Sequence, residues 1–163
     1  MFLQNNNVYD MEQLAAKIAR MFEQVYEISN EIKAVDRRLD TLTIHLEQYD
    51  IYKKHQAVYN KYKQHNPKKR DSFYDKHCEE VQAYETASKY LNDVLNGRTE
   101  VPIHSWRKEQ EVLTRKRFNL CETYYQLKDD TKDVEVLRRN AERLIQESDR
   151  ERNAQRRTQN IDL

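Results

Sequence analysis

The chain has 163 residues, of which 35% are charged and only 37% are hydrophobic, and it contains one glycine and two prolines. So few glycines and prolines leave few sites for the tight turns of an all-β fold, and this composition is typical of long helices or coiled coils. The net charge is only +1, from 29 basic and 28 acidic residues. Any electrostatic partner must therefore be recognised by a local patch, because the field of the whole protein is weak.

The cysteine content and the hydropathy of the sequence indicate in which cellular compartment the protein lies. Cys78 and Cys121 are the two cysteines, and they lack metal-ligand spacing, which favours a reducing, cytoplasmic environment. No apolar run approaches the roughly 20 residues that a membrane span requires. The first residues lack the basic and apolar regions of a secretory signal. We therefore expect a cytoplasmic protein that does not contact a membrane.

One apolar stripe dominates the first third of the chain. Its members are spaced alternately by four and three residues: Leu14, Ile18, Met21, Val25, Ile28, Ile32, Val35, Leu39, Leu42, Leu46 and Tyr49. This a/d heptad pattern is narrower than the face that a globular helix buries, so it indicates a coiled-coil seam. After Leu46 the spacing changes to threes, through Tyr52 and His55, and this loss of phase predicts that the helix changes its packing partner near Tyr49.

Three helices are predicted, at about 9–65, 68–96 and 102–147. Asn66-Pro67 separates the first two, because proline cannot continue a helix but suits the first turn of the next one. Gly97, after Asn96, suits the left-handed position that closes a helix. Residues 1–8 are predicted to be disordered. Apolar residues nearly vanish beyond 147, so residues 148–163 are predicted to be a fraying or disordered tail.

The third helix carries a second apolar stripe. Its part from Trp106 to Ala141 covers 36 residues, the same length as the first stripe. Its members are Ile103, Trp106, Leu113, Leu120, Tyr124, Leu127, Val134, Leu137, Ala141 and Leu144, with Gln110, Arg117 and Thr131 interrupting the seam. An antiparallel pairing of the two stripes would place Leu14 near Ala141 and Tyr49 near Trp106.

The predicted fold is all-α. It is an elongated antiparallel coiled-coil hairpin of long helices, with a small three-helix head where the second helix folds back over residues 52–65, and residues 9–147 form a single domain. The alternative is a homodimer that is zipped along the same seams. The monomeric hairpin is favoured because a matched partner lies in the same chain.

No residue pattern indicates catalysis. The five histidines, His45, His55, His65, His77 and His104, do not show metal-ligand spacing. Tyr124 and Tyr125 have no base or metal ligand near them in sequence, so we interpret Tyr124 as a seam residue and Tyr125 as its flank. We predict that the chain is not an enzyme and binds no cofactor or metal.

Clusters of basic residues are the only sequence feature that suggests a binding site. They are Lys68, Lys69 and Arg70 on the second helix, and Arg107, Lys108, Arg115, Lys116, Arg117, Arg138, Arg139 and Arg143 on the third. Acidic residues alternate with them towards the end of the third helix, which favours a merely solvated face. Weak, salt-sensitive contact with nucleic acid is the functional alternative.

Four blocks carry a resemblance to a known family. They are VDRRLDTL at 35–42, YKKHQAVYNKYKQHNPKKRDSFYDKH at 52–77, ASKYLNDVLNGRTEVPIHSWRKE at 87–109 and TYYQLKDDTKDVEVLRRNAERLI at 123–145. Together they resemble the C-terminal helical region of mobilisation relaxases, the conjugation nucleases of Gram-positive mobile elements. The resemblance covers roughly residues 12–147.

The resemblance implies an accessory role. Relaxases of this kind nick DNA in an N-terminal domain that holds a metal through a histidine cluster, and no such cluster occurs in these residues, so no catalytic role carries over. We expect a non-catalytic interaction module that takes part in plasmid or conjugative-element mobilisation. Its partners would be relaxosome or secretion-coupling proteins, with DNA as an additional contact. The alternative is a freestanding nucleic-acid-binding accessory or inhibitor protein from a mobile element.

Overall fold

The computed structural model describes residues 11–159, with side chains described as far as 154. The chain forms two compact units: unit 1 comprises Met1–Lys33 and Phe118–Leu163, and unit 2 comprises Ala34–Arg117. The predicted disordered segment 1–8 lies outside the described residues.

The prediction of an all-α fold is confirmed, because the described residues form three helices and no strand. They are α1 (Met11–Gln64), α2 (Pro67–Leu95) and α3 (Ile103–Gln159). The helix breaks at 65–66 and 96–102 lie within a residue of the predicted ones. Helix α3 continues to Gln159, through most of the segment for which a fraying or disordered tail is predicted.

The two ends of α2 show why the chain turns there. Asn66 adopts an extended conformation and its side chain accepts a hydrogen bond from the amide of Lys69 at 3.0 Å, with Pro67 in the first turn. At the other end Asn96 is left-handed, with φ 45°, and Gly97 follows with φ 88°. Left-handed residues close helices, and glycine adopts this conformation without a steric cost.

The core of unit 1 lies between α1 and α3. Leu14 and Ile18 pack with Val134, and Met11 and Met21 lie against this cluster. The expected neighbour of Leu14 was Ala141, two helical turns further along α3 than Val134. The other expected neighbours, Tyr49 and Trp106, lie in the same cluster in unit 2.

Two residues of the second stripe lie outside the seam. Leu137 follows Val134 by three residues where four were needed to stay in the seam, and it is 40% exposed. Leu144 lies one heptad later and is 61% exposed. The prediction that both belong to the seam is wrong, and Arg138, four residues after Val134, is half-buried in place of Leu137.

The core of unit 2 contains all three helices. Leu42 is fully buried and packs with Leu91 and Trp106, while Tyr49 and Tyr52 lie against the same cluster. A change of packing partner was predicted near Tyr49, but α2 already contacts α1 before this point, at Leu42 and His45. Beyond this point Tyr52 stacks on Tyr84 of α2, with ring centroids 4.8 Å apart.

Candidate interaction surfaces

The basic cluster at the start of α2 is divided between two environments. Lys68 and Lys69 are exposed. Arg70 is half-buried, and its Nη2 donates to the carbonyl oxygens of Lys63 and His65 at 3.2 and 3.1 Å. Lys63 lies in the last turn of α1 and His65 directly follows the helix, where the final carbonyl groups lack helical partners. Arg70 therefore caps α1, and Lys68 and Lys69 are the cluster members that face outward.

The basic residues of α3 in unit 2 are partly neutralised. Arg115 pairs with Glu111 one turn earlier, and Arg117 pairs with Asp36 of α1. Arg107, Lys108 and Lys116 are exposed.

The three arginines near the end of α3, in unit 1, each have an acidic partner one turn away. Arg138 bonds Glu142 at 2.6 Å, Arg139 bonds Glu135 at 2.7 Å, and Arg143 lies 4.0 Å from Glu147. Such i, i+4 pairs reduce the local positive potential. This part of α3 is therefore a face of alternating charge, as the interleaved acids in the sequence indicated.

Three histidines make packing contacts within unit 2. Nδ1 of His45 lies 2.8 Å from the Tyr90 hydroxyl, and the His45 ring lies 4.7 Å from that of Trp106. Burial lowers the pKa of His45, and the nearby Arg38 guanidinium lowers it further. His77 pairs with Glu80 and stacks on Phe73, which also contacts His65. No group of three metal-ligating side chains occurs within the described residues.

A column of tyrosines joins α1 to α2 in unit 2. Tyr84 stacks between Tyr52 and Tyr59, with centroid distances of 4.8 and 4.2 Å. Burial raises the pKa of the Tyr84 hydroxyl, and its hydrogen bond with Tyr52 adds to the shift. An open groove of about 420 Å³ lies beside Tyr59 and Tyr84, with Lys89 and Asp93 on its wall. The rings of these tyrosines therefore pack mainly between α1 and α2.

Unit 1 presents a different surface, which the sequence reasoning missed. Four aromatic side chains are more than half exposed: Phe22 (51%) and Tyr26 (67%) on α1, and Phe118 (62%) and Tyr125 (64%) on α3. We call these four residues the ring face. Each of them directly follows a position of the heptad seam, so the heptad phase could have identified them as large apolar residues placed outside the core.

The opposite side of unit 1 has two grooves. One, of about 480 Å³, is lined by residues that include Gln24, Ile28, Thr123 and Leu127. The other, of about 450 Å³, is lined by residues that include Met21 and Val134. Both are open and contain a mixture of seam residues and polar residues that directly precede seam positions.

Comparison of the chain with models of protein families, with curated proteins and with solved structures found no match. None of the helices described between residues 11 and 159 has the length and apolar character needed to cross a membrane.

Proposed function

We propose that this chain is a non-catalytic helical interaction module of a mobilisation relaxase. Its partners are proteins of the relaxosome or of the secretion-coupling machinery, and nucleic acid is an additional contact. The proposal includes a cytoplasmic location, which the unpaired state of Cys78 and Cys121 supports.

The predicted architecture is part of this proposal. It is an antiparallel coiled-coil hairpin with a three-helix head, monomeric rather than homodimeric. Contacts between α1 and α3 within each unit support it: Leu14 and Ile18 pack with Val134 in unit 1, and Asp36 pairs with Arg117 while His45 lies against Trp106 in unit 2. All eleven residues of the first stripe are buried or half-buried, as a seam that is covered by the same chain requires.

The observation that carries the functional proposal is the ring face. Large aromatic side chains contribute much of the binding energy at protein interfaces. Large exposed apolar patches on a monomer mark interaction sites, whereas single exposed apolar residues do not. Four such rings on one small unit of a chain with only 37% hydrophobic residues therefore favour a role in binding.

The engagement of the histidines supports a role without catalysis. His45 is 8% exposed and lies in the core of unit 2, and His77 is held by Glu80. Side chains that are fixed in packing contacts are poorly placed to reach a substrate, because a general acid or base must lie within hydrogen-bond reach of the group that it protonates.

A competition experiment tests the proposal. The intact chain is overproduced in donor cells that carry a mobilisable plasmid with a related relaxase, and the transfer frequency is measured. We expect transfer to fall, because the free module occupies the partners of the relaxase. Leu42→Asp, which places a carboxylate in a fully buried position, is the matched control and should restore transfer. An unchanged transfer frequency with well-folded protein would refute the proposal.

A second experiment tests the absence of nicking. The pure protein is incubated with supercoiled plasmid containing the transfer origin and with Mg²⁺ or Mn²⁺. We expect the plasmid to stay supercoiled. Conversion to the nicked circle by the pure chain would overturn the non-catalytic proposal.

A further inference from the structure

We propose that the ring face of unit 1 binds single-stranded nucleic acid, with bases stacked on its aromatic rings and phosphates bound by Lys128 and Lys132. This inference rests on the proposed function, because it names the surface and the ligand class of the nucleic-acid contact. It assigns that contact to residues outside the basic clusters that the sequence singled out.

The four rings lie on one side of the helix pair in unit 1. Gln24 of α1 and Thr123 of α3 both line the same groove, and each directly precedes a seam residue. Tyr26 and Tyr125 lie two residues further along their helices, which is a rotation of about 200° at ~100° per residue. They therefore emerge on the side of the pair that faces away from the groove. Phe118 lies one heptad before Tyr125, and Phe22 follows the preceding seam residue of α1, Met21, on the same side of its helix.

The two tyrosines also lie at one level along the helix pair. Gln24, Glu27 and Ile28 of α1 line the groove together with Thr123, Gln126 and Leu127 of α3, so Tyr26 and Tyr125 occupy adjoining turns of neighbouring helices. Phe22 is one turn from Tyr26, or about 6 Å along the axis at ~1.5 Å per residue. Phe118 is two turns from Tyr125. The rings thus form a short row of flat surfaces with gaps between them.

Positive charge predominates beside the rings on this side. The positions that follow seam residues are occupied on α1 by Ala15, Ala19, Phe22, Tyr26, Ser29 and Lys33, and on α3 by Phe118, Cys121, Tyr125, Lys128, Lys132 and Glu135. Glu135 is the carboxylate in this set, and it is bonded to Arg139 one turn further along α3. Lys128 and Lys132 are exposed, and the Lys128 ammonium lies 5.6 Å from the Tyr124 ring centroid, next to Tyr125.

Exposed rings interleaved with lysines are the combination that binds single strands. Every base has a flat face, so stacking on aromatic side chains is tolerant of sequence, while cationic side chains follow the phosphates. The exposed Lys128 and Lys132 complement a polyanion, and the charge of Glu135 is compensated by Arg139. In contrast, the arginines near the end of α3 are paired with glutamates.

A second copy of the chain fits this face less well. Aromatic side chains bury 150–250 Å² each, so four half-exposed rings offer roughly 500 Å², which is below the ~800 Å² per partner of a stable interface. Two copies would also bring their lysines together. A single strand needs only a few stacked bases and gains from the same lysines.

The test is a titration of fluorescein-labelled oligo(dT), about 16 nucleotides long, with the intact chain, followed by fluorescence anisotropy. We expect binding at low salt, with a logarithm of affinity that falls linearly with the logarithm of salt concentration. The same oligonucleotide annealed to oligo(dA) should bind at least tenfold more weakly, because paired bases do not offer their faces.

Two sets of variants identify the surface. Tyr26→Leu and Tyr125→Leu keep an apolar side chain but remove the ring, and each should weaken oligo(dT) binding about fivefold or more. Lys128→Gln with Lys132→Gln should reduce the slope of the salt dependence by about 1.4, the contribution of two phosphate contacts to a single strand. The matched controls are Leu144→Ala, an exposed apolar residue outside the ring face, and Lys68→Gln with Lys69→Gln in unit 2. Both should bind as the unaltered chain does.

Three outcomes would overturn the inference. The first is the absence of oligo(dT) binding by folded protein at low salt. The second is binding that Tyr26→Leu and Tyr125→Leu leave unchanged but Lys68→Gln with Lys69→Gln abolishes. The third is binding of an acidic amphipathic helical peptide in place of oligo(dT), retained by the leucine variants, which would make the face a protein-docking site. Plasmid transfer is measured in a separate experiment, so a failure of this inference can be distinguished from a failure of the proposed function.

Discussion

Nδ1 of His45 lies 2.8 Å from the hydroxyl oxygen of Tyr90, and this hydrogen bond joins α1 to α2 within unit 2. His45 is 8% exposed and its ring also packs on Trp106 of α3. One imidazole thus contacts both other helices of the unit, and its charge state affects how well they pack.

We expect unit 2 to lose stability in mild acid because of His45. Burial lowers the pKa of the folded imidazole below its ordinary value of 6.5, so the unfolded chain binds a proton more readily than the folded chain does. The free energy of unfolding should therefore be unaffected by His45 above about pH 6.5 and should fall as the pH decreases from there towards the folded pKa. Urea unfolding at a series of pH values, followed by circular dichroism, measures this.

The control for this prediction separates His45 from the other titrating groups. His45→Phe with Tyr90→Phe keeps two packed rings and removes the proton-binding group, so it should flatten the pH dependence of the free energy of unfolding below about pH 6.5. His104→Phe, at an exposed position, should leave the slope as it is. An unchanged slope in the His45 double variant would contradict the prediction.

Leu42 should be the most costly truncation in unit 2. Its side chain is fully buried and packs with Leu91 and Trp106, so Leu42→Ala leaves a cavity between three helices. We expect a loss of about 2–5 kcal/mol in the free energy of unfolding. Ile44→Ala removes a similar number of atoms from a side chain that is 46% exposed and should cost far less. Equal losses in the two variants would mean that unit 2 lacks the packing described here.

The first stripe shows what the sequence predicts well. Its spacing correctly identified which residues of α1 are covered, from Leu14 to Tyr49, because a narrow seam repeated over five heptads leaves few alternatives. The pairing register was predicted less well. Equal lengths align two stripes only approximately: Tyr49 lies against the cluster that contains Trp106, as expected, but Leu14 packs with Val134, two helical turns before Ala141.

The residues that the sequence did not reveal share a physical reason. His45 lies beside the seam and is buried because α2 covers that side of α1, as its bond with Tyr90 shows, and the period of α1 alone does not indicate where a third helix lies. The ring face was missed for the opposite reason. Basic clusters are conspicuous in sequence but most of their arginines have acidic partners or cap a helix, whereas single aromatic residues become a surface only when two helices bring them to one side.

Thr131 interrupts the seam of α3, and its replacement should stabilise unit 1. The residue is 2% exposed, and its hydroxyl donates to the carbonyl of Leu127 at 2.6 Å. Thr131→Val keeps the shape and buries a methyl group in place of a hydroxyl, so we expect a gain of about 1 kcal/mol. Thr123 makes the corresponding bond to Asn119 but is exposed, so Thr123→Val should change the thermal midpoint little. A destabilised Thr131→Val variant would show that the hydroxyl contributes more than its burial costs.

Substitution of Gly97 should destabilise the protein although a side chain at this position would have free space around it. Its φ is 88°, and a Cβ added there would meet no atom within 4 Å, so the cost of a side chain is purely conformational. Gly97→Ala should lower the free energy of unfolding by about 1–2 kcal/mol, since L-residues pay this amount for the left-handed region. Glu100→Ala in the same connection is the control and should be nearly neutral. A neutral Gly97→Ala would mean that the turn after α2 relaxes to another conformation.

Arg38 and Glu109 form a two-pronged ion pair between α1 and α3 in unit 2, with N–O distances of 2.7 and 2.9 Å. Both side chains are more than a third exposed, so solvent screens the pair, and a double-mutant cycle with Arg38→Gln and Glu109→Gln should give a coupling of about 0.5–1 kcal/mol. The hydrogen bond from Arg38 lowers the pKa of Glu109 below its ordinary 4.5. The coupling should therefore be fully present above about pH 4.5 and should disappear as the pH falls through the folded pKa. The coupling energy should also decrease at high salt concentration. A coupling that persists when Glu109 is protonated would show that packing of the two side chains, and not their charge, holds them together.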